Sequence, residues 1–423
     1  MPLQGAASLP TVWGSLYQSQ TFRKQAAKVL SKRPIIRLKP KEGRRVRAGA
    51  PWVFSNEITM DERAKALPPG TLVGLADEGG AVLGTGYFNP HSLIGIRILA
   101  KPDVDIDSDF FAAKLRHAVH LRERFYDVPF YRLVHAEGDG LPGLVIDRFG
   151  NSCVVQITTA GMERLKDTML AALDRVIAPE CVILRNDVAA RALEGLESYV
   201  AAVRGNAPSR MTIEENGVTY FADSLAGQKS GWYYDQRANR AFVARLAGGA
   251  RMLDAYCYSG GFGVLAAVRG AREAVCLDSS EPALKLAAEA AEANGVSERC
   301  RFVRCDVFEE LERLAQRNER FDIVICDPPP FAPSRKDLES AARAYRKLAR
   351  AAAGLVAPSG FLMLASCSHN MPAERFALEC AIGLSRAGRG AALIHEAGAG
   401  PDHPVHPMLP ETSYLKTLTY RLD

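Results

Sequence analysis

Four aspartates in the second half of the chain stand where predicted strands end, and their carboxylates could bind a small polar ligand. The apolar runs RMLDAY, EAVCLD, RFVRCD and FDIVICD end at or next to Asp254, Asp278, Asp306 and Asp327. An open parallel sheet binds its ligands beyond the carboxyl ends of the strands. One such acid could be accidental, but four in succession predict a ligand-binding edge.

The loop DAYCYSGGFG, which follows the first of these strands, allows the backbone to approach a ligand closely. Gly260, Gly261 and Gly263 permit a tight turn and carry no side chain. Their spacing is not G-x-G-x-x-G, so a dinucleotide pyrophosphate is not the best fit. The alternative interpretation is a structural glycine turn followed by helix caps.

The acids after the second and third strands suit an adenosine-containing ligand. A carboxylate at Asp278 matches the two hydroxyls of a ribose, and Asp306 with Val307 is placed to meet an adenine. None of these residues requires a phosphate on the ligand. The pattern therefore indicates S-adenosylmethionine as the cofactor.

Two motifs after the fourth and fifth strands, DPPPF and SCS, carry groups that could act on a nucleic-acid base. Consecutive prolines form a stiff wall, on which Asp327, Pro328 and Phe331 could hold a planar base by hydrogen bonding and stacking. Cys367 lies between two serines, where a thiolate could attack. Addition of a thiolate to carbon 6 of a pyrimidine makes carbon 5 reactive toward a sulfonium methyl group. We therefore predict Cys367 and Asp327 as catalytic residues.

Two other functions remain open on these residues. Methylation of an exocyclic base amine is the first, because DPPPF partly resembles the acid-Pro-Pro-aromatic signature of enzymes that need no cysteine. The second is a non-catalytic RNA-binding protein that retains the same shell. A metal site is not predicted, because His403 and His406 lack a third ligand at suitable spacing.

Length and composition are those of an ordinary multidomain globular protein. The 423 residues are 48% hydrophobic and 24% charged, and no apolar run reaches the roughly 20 residues of a membrane span. The net charge of +5 is mild and hints at an acidic partner. The nine cysteines contain no C-x-x-C pair and the start has no secretory signal, so we expect a reducing, cytoplasmic location.

The elements that must position these residues fall into four predicted segments. We expect a flexible leader over 1–33, a small β-barrel over 34–102, a small α+β domain over 103–207 and a Rossmann-like parallel sheet over 208–423. The last segment alternates apolar strands with helices, as doubly wound sheets do. In the barrel, Arg44, Arg45 and Trp52 combine basic and aromatic side chains, which suits RNA, although Trp52 could equally belong to the core.

The spaced motifs together resemble one known family. The segments AGQKSGWYYDQR, DAYCYSGGFG, LDSS, CDVF, DPPPF and SCS resemble those of the bacterial large-subunit ribosomal RNA cytosine-5 methyltransferases, over the chain from about Pro34 onward. The resemblance implies an N-terminal PUA domain, S-adenosylmethionine as methyl donor, ribosomal RNA as partner and often a homodimer. Because the target base must leave its stack, we expect unassembled RNA as substrate. Pro330 stands where the family motif has lysine, which leaves the target nucleotide open.

The positions of these motifs give a set of candidate site residues. The cofactor-binding candidates are Gln228, Tyr234, Asp235, Arg237, Asp254, Tyr256, Gly260, Gly261, Asp278, Ser279, Asp306 and Val307. The resemblance implies that Asp327 binds the cytosine and that Cys367 is the nucleophile, with Pro328 and Phe331 beside the base.

Overall fold

The computed structural model describes residues 33–225, 227 and 230–423. The leader predicted over 1–33 therefore lies outside the described residues, apart from Arg33. The chain divides into two compact units, with the boundary between Asp105 and Ile106. A search of the described residues finds no helix with the length and apolar character needed to cross a membrane.

The first unit is a small, curved β-structure, as predicted. Its elements are β1 (Ile35–Arg37), α1 (Arg44–Arg47), β2 (Trp52–Phe54), α2 (Glu62–Lys65), β3 (Thr71–Ala76), β4 (Val82–Phe88) and β5 (Ile94–Ala100). The strands form one sheet in the order β1-β3-β4-β5-β2. Backbone hydrogen bonds from Thr59 to Arg37 and from Lys39 to Glu57 link the first strand to the segment after β2. The sheet thereby curls around a core that includes Val53, Val73 and Phe88.

The second unit begins with a five-stranded sheet, which we call the central sheet. Its elements are α3 (Ser108–Glu123), β6 (Phe130–His135), β7 (Leu144–Phe149), β8 (Ser152–Ile157), α4 (Ala160–Arg164), α5 (Lys166–Ile177), β9 (Cys181–Asn186) and β10 (Tyr199–Arg204). The strand order is β10-β9-β8-β7-β6. The predicted turn at Gly150 and Asn151 joins β7 to β8, and Gly150 takes the left-handed conformation that such a turn needs.

A hairpin of β11 (Arg210–Glu215) and β12 (Val218–Asp223) connects the central sheet to the rest of the unit. Its two-residue turn is Asn216-Gly217, as predicted, and both residues have positive φ, as a type I′ turn requires. Its apolar face packs with Phe149 and Val154 of the central sheet and with Val264 beyond it. This shared core explains why the central sheet belongs to the same compact unit as the residues that follow, so the predicted boundary near residue 207 stays a prediction.

The remainder of the second unit is the predicted Rossmann-like sheet, which we call the main sheet. Its elements are α6 (Arg237–Ala244), β13 (Arg251–Ala255), α7 (Gly261–Val268), β14 (Glu273–Asp278), α8 (Glu281–Ala293), β15 (Cys300–Arg304), α9 (Val307–Gln316), β16 (Phe321–Cys326), α10 (Leu338–Ala353), β17 (Val356–Ser366), α11 (Ala373–Arg386), β18 (Ala391–Ala397) and β19 (Lys416–Leu422). The strand order is β15-β14-β13-β16-β17-β19-β18. β19 is antiparallel to both β17 and β18, and the pairs from β15 to β17 are parallel.

The topology of the main sheet fixes where a ligand can bind. The chain adds β14 and β15 on one side of β13 and then returns to place β16 on the other side. The connections therefore diverge at the carboxyl ends of β13 and β16 and leave a crevice there. Asp254 lies within β13 and Asp327 directly follows β16, so the predicted acids flank this switch point.

Candidate active site

A cavity of about 300 Å³ lies at this crevice. It is formed by the loops after β13, β14, β16 and β17 and by the segment that precedes α6. The structure brings eight of the predicted residues to its wall: Asp235, Tyr256, Gly261, Asp278, Ser279, Asp327, Pro328 and Cys367. Residues predicted from five separate motifs therefore share one site.

Asp254 supports the glycine-rich loop from beneath and does not line the cavity. Its Oδ2 accepts a hydrogen bond from Gly263 N over 2.9 Å, and its side chain is buried. Burial raises the pKa of Asp254 to about 7. A Cβ on Gly263 would lie 2.3 Å from Cys276 Sγ, so only glycine fits between the loop and the strand. Asp254 thus orders the loop for a ligand and makes no direct contact with the cavity.

The loop above Asp254 has an unusual backbone conformation. Tyr256 and Tyr258 have φ of 66° and 50°, in the left-handed region that non-glycine residues rarely adopt. Such residues cost about 1–3 kcal/mol each and cluster at functional sites. Asp278 stabilises this conformation, because its Oδ2 accepts from Tyr258 N over 2.9 Å and its Oδ1 accepts from Ser280 N over 2.8 Å. The carboxylate therefore links the loop to the end of β14.

The composition of the cavity fits S-adenosylmethionine. The hydroxyl of Ser259 is buried without a hydrogen-bond partner in the described structure, which is the state expected of a group that awaits a ligand. Arg240 lines the cavity, but its guanidinium binds Glu215 over 2.7 Å and stacks 4.3 Å from the Trp232 ring. These contacts hold the guanidinium against the protein, although its Nε is buried without a hydrogen-bond partner in the described structure.

The other end of the cavity holds the two groups predicted to act on a base. Gln236 Nε2 donates to Asp327 Oδ2 over 2.9 Å. The Cys367 Sγ lies 4.0 Å from the carbonyl oxygen of Pro328, in the proline wall that follows Asp327. The thiol and the carboxylate thus face the same space from neighbouring strands.

Side-chain hydrogen bonds hold the loops of Asp327 and Cys367 together. The Tyr345 hydroxyl lies 2.8 Å from Ser366 Oγ and 3.1 Å from Ser368 Oγ, which flank the cysteine. Ser368 Oγ also accepts from Ala332 N over 3.3 Å. Because these groups are buried, the relative position of thiol and carboxylate is well constrained.

Lys416, at the start of β19, brings a positive charge near Cys367. Its Nζ donates to the carbonyl oxygens of Ser368 and Met371, both over 2.8 Å. Burial lowers the pKa of Lys416, while a negative charge on Cys367 would raise it. A nearby ammonium favours a thiolate over a thiol, so Lys416 is suited to activate Cys367.

Several predicted residues do not line the cavity. They are Tyr234, Arg237, Asp254, Gly260, Asp306, Val307 and Phe331, and Gln228 lies outside the described residues. Tyr234 is buried and donates to the Arg148 carbonyl, so its position is a core position. Arg237 stacks 4.2 Å from the Tyr126 ring and pairs with Glu215. The motif AGQKSGWYYDQR predicts both residues as cofactor ligands, but core residues and cavity residues alternate along it.

Phe331, Asp306 and Val307 have structural contacts that explain their positions. The Phe331 ring packs 4.9 Å from the Tyr345 ring and not on the cavity wall. It contacts the hydrophobic core that α10 and α11 form against the main sheet, which we call the main core. Val307 is also buried in that core. Asp306 Oδ1 accepts from Glu309 N and caps α9, although the carboxylate remains exposed. A role of Asp306 beside the adenine stays a prediction.

The cavity wall also contains residues that were not among the predicted site residues, most of them within the same motifs. They are Trp232, Tyr233, Gln236, Arg240, Cys257, Tyr258, Ser259, Phe262, Pro329, Pro330 and Leu415. Gln236 and Arg240 are four residues apart at the start of α6, so one face of that helix points to the cavity. A helical reading of the segment YYDQRANR would have found this pair.

Comparison with known proteins decides the family. Residues 36–101 match the model of a PUA-like domain, and residues 195–421 match the model of an S-adenosylmethionine-dependent methyltransferase. This chain belongs to the S-adenosylmethionine-dependent methyltransferase family. The predicted cofactor and the predicted fold class, with a PUA-like unit before the methyltransferase sheet, are thereby confirmed.

Relatives match the methyltransferase over most of its length. It is 40% identical over 374 residues to the ribosomal RNA large subunit methyltransferase I of Photobacterium profundum, covering 86% of this chain and 94% of the relative. It is 39% identical over 380 residues to the protein of the same name from Aeromonas hydrophila, covering 88% and 95%.

Solved structures match the fold of the methyltransferase. A SAM-dependent methyltransferase from Streptococcus mutans matches with a TM-score of 0.77 and 21% identity, covering 92% of this chain and all of that one. The methyltransferase SMU.776, complexed with SAH, gives a TM-score of 0.79 and 22% identity, covering 92% and 99%. These identities support the fold alone.

Proposed function

We propose that the protein transfers a methyl group from S-adenosylmethionine to carbon 5 of a cytosine in large-subunit ribosomal RNA. The observation that carries this proposal is the shared cavity of Cys367 and Asp327, next to the loop that suits the cofactor. The names of the relatives, ribosomal RNA large subunit methyltransferase I, support the RNA and the subunit.

The chemistry assigns a separate task to each residue. The Cys367 thiolate, stabilised by Lys416, forms a bond to carbon 6 of the cytosine, and the electrons of the carbon 5–carbon 6 double bond move toward carbon 5 and N3. Asp327 supplies a proton to N3 and so stabilises the adduct. The cofactor supplies an electrophilic methyl group to carbon 5. N3 then returns its proton to Asp327. A water molecule takes the carbon 5 proton, the electrons of that bond restore the carbon 5–carbon 6 double bond, and the carbon 6–sulfur bond breaks to release the thiolate.

Methylation of an exocyclic amine fits the site less well. Phe331 packs against Tyr345 and does not line the cavity, so it does not separate the two reactions. Cys367 does line the cavity, and the amine reaction gives it no task. The position of Cys367 therefore favours the cytosine-5 reaction.

The product of the reaction tests the proposal directly. The full-length protein is incubated with labelled S-adenosylmethionine and unmodified large-subunit ribosomal RNA, which is then digested to nucleosides. We expect 5-methylcytidine as the labelled nucleoside. Labelled N4-methylcytidine or N6-methyladenosine would overturn the proposal and show methylation of an exocyclic amine. Cofactor binding without methyl transfer would indicate a non-catalytic RNA-binding protein.

The narrow cavity favours RNA whose target base is free to leave its stack. Cys367 and Asp327 line the wall of a cavity, so a base reaches them only after it has left its stack. We therefore propose free or partly assembled RNA as the substrate. The cytoplasmic location and the homodimer stay predictions.

The first unit is proposed to bind RNA phosphates through α1. Arg44 is exposed there, and the Arg45 guanidinium lies 5.2 Å from the Phe54 ring. The double substitution Arg44→Ala, Arg45→Ala should reduce the slope of log affinity against log salt by about 1.4, since each phosphate contact to a single strand contributes about 0.7. Filter binding of ribosomal RNA between 50 and 300 mM salt measures this slope. An unchanged slope would remove α1 from the RNA-binding surface, and Arg63→Ala, Lys65→Ala on α2 is the control for lost charge.

Two cations close to the proline wall are proposed to hold the RNA backbone beside the target base. Arg335 and Lys336 are exposed, and within the described residues neither forms an ion pair. By contrast, Lys347 and Arg375 form ion pairs with glutamates. Arg335→Ala, Lys336→Ala should raise the KM for RNA about tenfold and change kcat little, because the loss affects binding alone.

A matched double variant separates position from charge. Arg317→Ala, Arg386→Ala removes two exposed cations at the ends of α9 and α11, on the opposite edge of the main sheet. We expect its KM to stay within twofold of the wild-type value. Equal KM changes in both double variants would show a general charge effect and no local RNA contact.

A further inference from the structure

A chain of buried amide side chains holds the Asp327 carboxylate. Gln236 Nε2 donates to Asp327 Oδ2 over 2.9 Å, and Asn239 Nδ2 donates to Gln236 Oε1 over 2.7 Å. Gln236 is 3% exposed and Asn239 is 1% exposed, so water does not compete for these bonds. Hydrogen bonds in such surroundings are strong and directional.

A backbone carbonyl sets the orientation of both amide side chains in this series of hydrogen bonds. A carbonyl oxygen can only accept a hydrogen bond, and Asn239 Nδ2 lies 3.2 Å from the oxygen of Gly398. The hydroxyl of Thr417 lies 3.3 Å from Asn239 Oδ1, on the other side of the amide. Asn239 therefore presents its NH₂ group to Gln236, whose own NH₂ group must then face Asp327.

A fixed N–H donor at Oδ2 decides which oxygen of Asp327 can carry a proton. The Gln236 amide does not lose its proton at any working pH, so Oδ2 remains an acceptor. The carbonyl oxygen of a carboxylic acid is a stronger acceptor than its hydroxyl oxygen, so this donor favours a proton on Oδ1. A proton donor on Oδ1 matches N3 of cytosine, which has a lone pair, and opposes N3 of uracil, which already carries a proton.

We propose that Gln236 is a positioning residue that reserves Oδ1 of Asp327 for proton exchange with N3 of the target cytosine. This inference rests on the proposed cytosine-5 reaction and adds the group that selects cytosine over uracil. When Cys367 adds to carbon 6, the Oδ1 proton passes to N3. It returns to Oδ1 when water takes the carbon 5 proton and the carbon 6–sulfur bond breaks to release the thiolate. Gln236 itself gains and loses no proton.

The titratable and charged groups around Asp327 come from several elements. Among the described residues they include Asp254 of β13, Cys326 of β16, Tyr233 and Asp235 before α6, Arg240 of α6, Tyr256 and Tyr258 of the glycine loop, Asp278 of β14, and Cys367 after β17, with Lys416 of β19 behind it. These groups are the same in every Gln236 variant, and only Gln236→Glu adds a charge, so the comparison of Gln236→Glu with Gln236→Ala and Asn239→Asp isolates the Gln236–Asp327 contact.

Gln236→Glu tests the proposal through its pH profile. Two carboxyl groups at hydrogen-bond distance share one proton, and the pKa of the pair rises. Below that pKa the glutamic acid still donates to Oδ2. Above it both groups are ionised and repel, so kcat should fall at least tenfold between pH 6 and 8.5 relative to the wild type. S-adenosylmethionine affinity, measured by calorimetry, should stay within threefold.

Asn239→Asp tests the same series of hydrogen bonds and leaves Gln236 itself unchanged. A carboxylate at this position repels Gln236 Oε1 and turns the amide, so its oxygen faces Asp327. We expect kcat for cytosine RNA to fall at least tenfold, and discrimination against uracil-substituted RNA to decrease by a similar factor. Gln236→Ala should show the same two changes.

Asn294→Asp is the matched control. Asn294 Nδ2 donates to the carbonyl oxygens of Thr219 and Ala290, both over 2.7 Å, in the same unit but away from the cavity. This variant should lower the melting temperature and keep the wild-type pH profile. A wild-type profile in Gln236→Glu, together with wild-type discrimination in Asn239→Asp and Gln236→Ala, would overturn the proposal. Failure of the wild-type protein to form 5-methylcytidine would instead overturn the proposed function.

Discussion

Cys367→Ala should lower methyl transfer to ribosomal RNA by at least about a thousandfold, because it removes the sulfur atom that forms the bond to carbon 6 in the proposed reaction. S-adenosylmethionine affinity should change less than threefold, since the thiol acts on the base. Tritiated methyl transfer measures the first quantity and calorimetry the second. RNA that contains 5-fluorocytosine should also trap the wild-type protein covalently and leave the variant free.

Cys326→Ala is the matched control for the thiol. Cys326 ends β16, one residue before Asp327, and its side chain is completely buried in the main core. Loss of one buried sulfur should cost stability of about 1–2 kcal/mol and leave the covalent trap intact. Appreciable turnover by Cys367→Ala would exclude the thiolate reaction and favour methylation of a base amine.

Asp278→Ala should weaken S-adenosylmethionine binding by about 10- to 150-fold for each ribose hydrogen bond that is lost, because hydrogen bonds to a charged group contribute about 1.5–3 kcal/mol. The structure adds a second cause, since Asp278 also accepts hydrogen bonds from Tyr258 N and Ser280 N and so stabilises the loop. Titration calorimetry with S-adenosylmethionine measures the dissociation constant.

Two further variants separate these causes. Asp278→Asn keeps an oxygen that can accept from one backbone N–H but loses the charge, so its affinity should lie between those of the wild type and Asp278→Ala. Glu292→Ala removes an exposed acid from α8, at the opposite edge of the sheet, and should leave affinity unchanged. Unaltered binding in Asp278→Ala would remove Asp278 from the cofactor site.

The strands of the main sheet could be predicted because they are buried on both faces and read as continuous apolar runs. The end of each apolar run also predicted that Asp278 and Asp327 lie at the carboxyl edge of the sheet, because a charged side chain inside a buried strand would need a partner. The hairpin at Asn216-Gly217 was equally predictable, because its turn type requires positive φ at two successive residues.

Residues outside the strands could not be placed from sequence to the same extent. Whether Tyr234 or Gln236 faces the cavity depends on how the segment before α6 packs against the central sheet, and no local pattern records that contact. Phe331 is a similar case, because its direction is decided by Tyr345, which lies fourteen residues later on α10. Lys416 is still farther along the chain from the residue that it approaches, and the pairing of β19 with β17 brings it to Cys367.

The position of β19 has a consequence for the order in which the protein becomes active during translation. This strand follows β18 in the chain but lies between β17 and β18 in the sheet, so β18 cannot dock until β19 has left the ribosome. A nascent chain that already displays every motif through SCS still lacks the ammonium of Lys416 and the hydroxyl of Thr417. Catalytic competence should therefore appear in one late step, when the final strand inserts, and not gradually as the motifs emerge.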